Sequence, residues 1–115
     1  MIRLAYPDLH FNEVSNQLKQ VINSGWLTKG PKTRELEDSI CQYLNVKYSV
    51  AVSSGTAALH LSLLTLGIGQ GDEVIVPDFT FPATANAVEL CGAKAILADI
   101  ELETSISILW KLKRE

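Results

Sequence analysis

The sequence predicts an α/β fold with a largely parallel sheet, and three observations carry that prediction. Apolar runs of strand length alternate with runs of helical spacing between Tyr48 and Ala98, in the order strand, helix, strand, helix, strand. The stretch Tyr48–Leu64 is an apolar strand that passes through Ser53-Ser54-Gly55-Thr56 directly into an apolar helix, the junction a parallel unit with right-handed crossovers requires. Finally, 115 residues that are 47% hydrophobic and 20% charged suffice for one globular unit and little more.

Taken in order, Phe11, Val14, Leu18, Val21 and Ile22 recur at helical spacing, and Ser24-Gly25 closes this first amphipathic helix. Trp26-Leu-Thr-Lys-Gly-Pro31 reads as a loop, since Gly30-Pro31 interrupts a continuing helix, and the simplest role for the Trp26 ring is to tuck onto the core. Thr33 is the expected cap of a second helix, with Glu35, Glu37 and Asp38 in its first turns and Leu36, Ile40 and Leu44 on one face. Those acidic residues have a sufficient structural reason to be there and are assigned no catalysis.

After Asn45 comes the strand Tyr48–Val52, followed by a helix over residues 56–66 that is apolar almost all round and therefore expected to be buried. Gly67 falls just past its end. Gly69-Gln-Gly-Asp72 is turn chemistry, Glu73–Val76 a second strand ended by Pro77, Ala83–Cys91 the second helix in this half of the chain stopped by Gly92, and Ala95–Ala98 a third strand. His60 has no metal-ligating residue three or four positions away, so a core or interface histidine is the expectation.

Open parallel sheets gather ligands at the carboxyl ends of their strands, where Ser53–Thr56, Pro77–Thr84 and Asp99 are all expected to sit. A small-residue turn entering a helix presents unpaired N–H groups together with the positive end of the helix dipole, which suits an anion. Any strand-to-helix turn with a Ser/Thr cap has the same composition, so spacing alone leaves both readings open. Neither Gly-x-Gly-x-x-Gly nor Gly-x-x-x-x-Gly-Lys-Ser/Thr occurs, which removes the dinucleotide and P-loop motifs. Asp99, Glu101 and Glu103 alternate at a strand end in the manner of a solvated face, and none is promoted to acid/base work.

Three ordered motifs, Ser53-Ser-Gly-Thr-Ala-Ala-Leu-His-Leu61, Gly67-Ile-Gly-Gln-Gly-Asp-Glu-Val-Ile-Val-Pro77 and Phe79-Thr-Phe-Pro-Ala-Thr-Ala-Asn86, resemble the DegT/StrS-type sugar aminotransferases. The resemblance runs from about Pro7 to about Thr104. It implies the N-terminal part of the large domain of a pyridoxal phosphate (PLP) dependent transferase of fold type I, a three-layer α/β/α arrangement with a mostly parallel sheet. Residues 1–104 would form that portion, with N-terminal helices and a loop over 1–47, a βαβαβ unit over 48–104, and a divergent tail over 105–115.

What the resemblance implies about chemistry is equally specific. The backbone N–H groups of Gly55, Thr56 and Ala57, with the Thr56 hydroxyl, would hold the PLP phosphate, and Phe81 would stack on the pyridine ring. Without the resemblance Phe81 reads as a core residue. The Gly25–Pro31 loop matches a Gly-x-x-x-x-Gly-Pro loop near the substrate mouth, so Thr28 and its neighbours are expected to touch sugar or nucleotide. Family members transfer an amino group, typically from glutamate, to a nucleotide-linked keto-sugar in sugar or polysaccharide biosynthesis, and are homodimers with the active site at the interface.

The Schiff-base lysine and the aspartate facing the ring nitrogen fall outside this chain in the family pattern, and none of Lys19, Lys29, Lys32, Lys47, Lys94, Lys111 and Lys113 matches the lysine motif. No catalytic residue is therefore assigned here, and the isolated chain is expected to be inactive. Relatives that replace the lysine perform dehydrations, which these residues do not separate from transamination. Ser105–Glu115 departs from the pattern, as a frame-shifted end of a truncated gene product or as the edge strand or interaction tail of a genuine short protein. The competing functions are a non-catalytic PLP- or phosphate-binding module pairing with a full-length relative, and an unrelated α/β domain that binds phosphate esters.

A net charge of −3 without a basic cluster argues against nucleic acid or an anionic membrane and for a small-molecule partner. The N-terminus does not read as a signal peptide, and no apolar run approaches the roughly 18 residues of a membrane helix, so the cytoplasm is the expected location. Cys41 and Cys91 are expected as reduced, buried thiols rather than a disulfide or metal site.

Overall fold

The computed structural model describes residues 10–101, 103 and 104. The tail expected over 105–115 lies outside the described residues. The chain forms two compact units, one extending to Ala51 and the other beginning at Val52.

The first unit contains helices α1 (Phe11–Ser24) and α2 (Pro31–Leu44). Gly25 ends α1 in the left-handed region at φ 72°, where a side chain would be strained, and returns its N–H to the Ile22 carbonyl. The start of α2 corrects one expectation. Gly30 is the cap residue and Pro31 the first helical residue, so Thr33 lies inside the helix. The proline ring fixes the helical φ and lacks an N–H at a position where none has a partner, so Gly30-Pro31 opens a helix here.

Asn45 closes α2 at φ 52°. Its N–H goes to Gln42 O and that of Val46 to Cys41 O at 3.0 Å, the paired bonds of a Schellman end.

The second unit contains α3 (Gly55–Thr65), β1 (Glu73–Pro77), α4 (Ala83–Leu90) and β2 (Lys94–Ala98). The strands pair in parallel, with Glu73 opposite Lys94 and Pro77 opposite Ala98, and α4 makes the crossover between them. The Asp78 N–H extends the pairing to Ala98 O at 2.9 Å. Val76, Val88 and Ala93 are the buried centre, with Leu63, Ile68, Val74, Ala85 and Ala95 packed around it. Helix α3 ends in a full Schellman motif: Gly67, at φ 78°, donates to Leu64 O, and Ile68 donates to Leu63 O. Because Leu63 and Ile68 both reach the core, this cap also closes one edge of it.

The expected strand Tyr48–Val52 has no ladder, and among the described residues the sheet has two strands where three were expected. An apolar, β-branched run encodes a preference for a half-buried pleated surface, but only a neighbour's hydrogen bonds make a strand. No neighbour among the described residues pairs with this one, and Tyr48 and Val50 stay 77% and 70% exposed. The expected burial of α3 is corrected for a related reason. The helix rests on α4, and Leu59, Leu61 and Leu64 on its other faces remain half exposed. The helix starts at Gly55, one residue before the expected Thr56.

Candidate functional site

Two places carry the residues singled out from the sequence, one in each unit. In the second unit Ser54 caps α3: its backbone is extended, and its hydroxyl oxygen accepts the Ala57 N–H at 3.1 Å. That leaves the N–H groups of Gly55 and Thr56, and the Thr56 hydroxyl, without a partner among the described residues. A Cβ placed on Gly55 would meet nothing within 4 Å, so the face of this turn is open to an incoming group. The turn therefore combines a satisfied cap with two free donors at the positive end of the helix dipole.

A second feature lies at the carboxyl end of β1. The loop leaving β1 holds Phe79 and Phe81, 72% and 78% exposed, and Phe81 is fixed at its backbone by accepting the Thr84 N–H at 3.1 Å. The Thr80 and Thr84 hydroxyls meet at 3.4 Å across the first turn of α4. An exposed aromatic on an anchored backbone departs from the core role that residue type alone suggests.

In the first unit the loop after α1 is organised around Trp26, whose N–H donates to Ser24 Oγ at 3.2 Å. Its ring stays 59% exposed, so it is not tucked onto a core. A Cβ on Gly30 would lie 3.1 Å from Trp26 Cβ, which is why a residue without one closes the loop. Thr28, with Trp26, Leu27 and Gly30, lines a cavity of about 330 Å³.

Glu37 was assigned no role from the sequence. In the structure Glu37 Oε1 accepts the Ala51 N–H at 2.9 Å and lies 3.1 Å from Lys29 Nζ. Its side chain is 14% exposed, against 63% for Lys29. The Ala51 N–H first, then Lys29, hold its carboxyl below the ordinary carboxylate value, against burial, which acts to raise it. No sequence pattern could have found this contact, because its partners lie 8 and 14 positions away on different loops.

The remaining candidates are structural. Asp99 accepts the Ile100 N–H at 2.9 Å and Glu101 the Thr104 hydroxyl at 2.7 Å, and both are exposed, which matches a solvated face. His60 is half-buried, and its carbonyl accepts the Cys91 thiol at 3.9 Å. Cys41 and Cys91 are free thiols, half-buried rather than fully buried. No described helix is long and apolar enough to cross a membrane.

Comparison with known proteins places these features in context. The model of the DegT/DnrJ/EryC1/StrS aminotransferase family matches residues 10–112, continuing past Thr104, where the motif resemblance was expected to stop. A Streptococcus pneumoniae protein named as a sugar aminotransferase, solved in its PMP form, is 39% identical with a TM-score of 0.83 over 90% of this chain and 26% of its own. An aminotransferase, TlmJ, from Streptoalloteichus hindustanus is 36% identical with a TM-score of 0.81 over 91% of this chain and 29% of its own. A DegT/DnrJ/EryC1/StrS aminotransferase from Brucella abortus is 35% identical with a TM-score of 0.77 over 90% of this chain and 29% of its own. The chain therefore spans about a quarter of the length of the solved structures it matches.

Proposed function

Because the chain belongs to the DegT/DnrJ/EryC1/StrS aminotransferase family, we propose that it supplies the N-terminal part of a PLP-dependent transaminase. The reaction moves an amino group from an amino acid, with glutamate the expected donor, to a nucleotide-linked keto-sugar in a homodimeric cytoplasmic enzyme. The observation that carries the reading is the start of α3, where an open glycine face and free donors meet a family whose solved members include PLP and PMP forms.

The residues present fit such a cofactor. The N–H groups of Gly55 and Thr56 and the Thr56 hydroxyl would hold its phosphate, with charge-assisted hydrogen bonds carrying most of the binding. The helix dipole adds about 0.3–2 kcal/mol. Ala57 takes part by sharing the N–H that Ser54 now accepts. Phe81 covers one face of the ring, contributing about 0.5–1.5 kcal/mol beyond area burial. Thr28 and Trp26 line the separate cavity that would receive part of the sugar nucleotide. The cofactor, when bound, supplies the electron sink for amino transfer. This chain's part is binding and orientation.

Titration of the 115-residue chain with pyridoxamine phosphate, followed by calorimetry, tests the assignment, since this form of the cofactor makes no covalent adduct with surface lysines. Binding should weaken at least tenfold in Gly55→Asp, whose Cβ starts into open space and which brings a negative charge to the start of the helix, and severalfold in Phe81→Ala. If both variants bind as the parent does, the site lies elsewhere.

A further inference from the structure

Glu37 stands at a junction that the proposed cofactor chemistry does not use. One of its carboxylate oxygens takes the Ala51 N–H at 2.9 Å and, at 3.1 Å, the Lys29 ammonium. Lys29 belongs to the Gly25–Pro31 loop beside Thr28, and Ala51 lies in the unpaired apolar run Tyr48–Val52. Among the described residues, that run has no sheet partner to hold its backbone. Among the described residues, the bond from Ala51 to Glu37 is its only backbone hydrogen bond. A carboxylate here takes the place of the strand carbonyl that would otherwise accept such an N–H.

We propose that Glu37 is a positioning residue: through one oxygen it clamps the Ala51 backbone and, by way of Lys29, the loop that carries Thr28. Both donors favour the ionised carboxylate, so both arms of the clamp are closed at neutral pH, and protonation releases the Lys29 arm while leaving an acceptor oxygen for Ala51. Lys29 and Arg34 are the charged groups that act on it. The two donors differ in what they need from the acceptor. The Ala51 N–H requires only an oxygen in place, which a glutamine retains, whereas Lys29 requires the charge. The consequence for ligands rests on reading the Gly25–Pro31 loop as a substrate loop. The clamp itself does not, so amide exchange tests it independently of ligand binding.

Amide hydrogen exchange on the 115-residue chain, read residue by residue by NMR, tests the proposal. In Glu37→Ala the Ala51 amide should exchange roughly tenfold faster, while Leu44 in α2 and Val88 in α4 keep their protection. Glu37→Gln should retain most of the Ala51 protection but free Lys29, whose Nζ resonance then loses its pH response to the carboxylate. In the parent chain the Lys29 Nζ resonance should shift as pH drops below the ordinary glutamate range, while Ala51 protection falls no further than its level in Glu37→Gln. Unchanged Ala51 exchange in Glu37→Ala overturns the proposal. So does a loss shared equally by Leu44, which would make Glu37 a general stabiliser of the unit.

Discussion

Val88 is the one large side chain of the described residues that is almost fully enclosed, 1% exposed between Val76 and Ala93. Truncation to alanine removes two methyl groups, about 1.6 kcal/mol of transfer free energy at about 0.8 per group. If the walls do not relax, the vacated volume of about 40 Å³ adds about 1 kcal/mol at about 24 cal/mol per Å³. The expected loss is therefore about 1.6–2.6 kcal/mol. With a urea slope of about 1–1.5 kcal/mol/M for so small a unit, that moves the unfolding midpoint down by about 1–2.6 M. Urea titration followed by far-UV circular dichroism, with Val76 and Ala93 amide exchange reporting on the second unit, measures it. Leu97→Ala, on a strand residue 66% exposed, is the control and should cost under about 0.5 kcal/mol. If the two variants lose equal stability, the small Val76–Val88–Ala93 cluster is not what holds this unit together.

Other predictions follow from single contacts. Ser54→Ala removes the cap on Ala57 and should cost about 0.5–2 kcal/mol in urea unfolding of the second unit. The same variant frees a third N–H for a phosphate, so inorganic phosphate should protect it against urea at least as well as it protects the parent. Asn45, held at φ 52°, should tolerate glycine and lose about 1 kcal/mol on change to alanine, as read by thermal unfolding of the first unit. Glu37 has a carboxyl lowered from the ordinary 4.5 by its contacts in the folded chain, so the unfolded chain binds more protons. Its stabilisation is complete above the unfolded value and disappears as pH falls through the folded one. Urea midpoints measured at steps from about pH 6 to about pH 3 should decline in the parent and flatten in Glu37→Gln.

The order of elements was legible in the sequence because local chemistry dictates it. Helical spacing with Gly25 and Asn45 behind it set α1 and α2, and Gly67 and Gly92 marked the ends of α3 and α4 to within a residue or two. One misreading was also local in origin. Gly30-Pro31 serves equally as a stop and as a start, and only the backbone at Gly30 chooses between them. At the start of α3, Ser54 was readable as a cap, but that it consumes the Ala57 N–H and leaves those of Gly55 and Thr56 free is a fact of geometry.

By itself, then, the sequence determined the α/β class, the family, the serine-capped glycine turn at the start of α3 and the aromatic in the loop after β1. These depend on residue type and on spacing within a few positions. Tertiary structure alone decided the fate of Tyr48–Val52, because a strand exists only where another backbone accepts its hydrogen bonds. It alone decided how much of α3 is covered, since an apolar surface is buried only by a partner that reaches it. And it alone joined Glu37 to Lys29 and Ala51, because a side chain and a backbone N–H separated by 14 positions meet only when the folded chain brings them together.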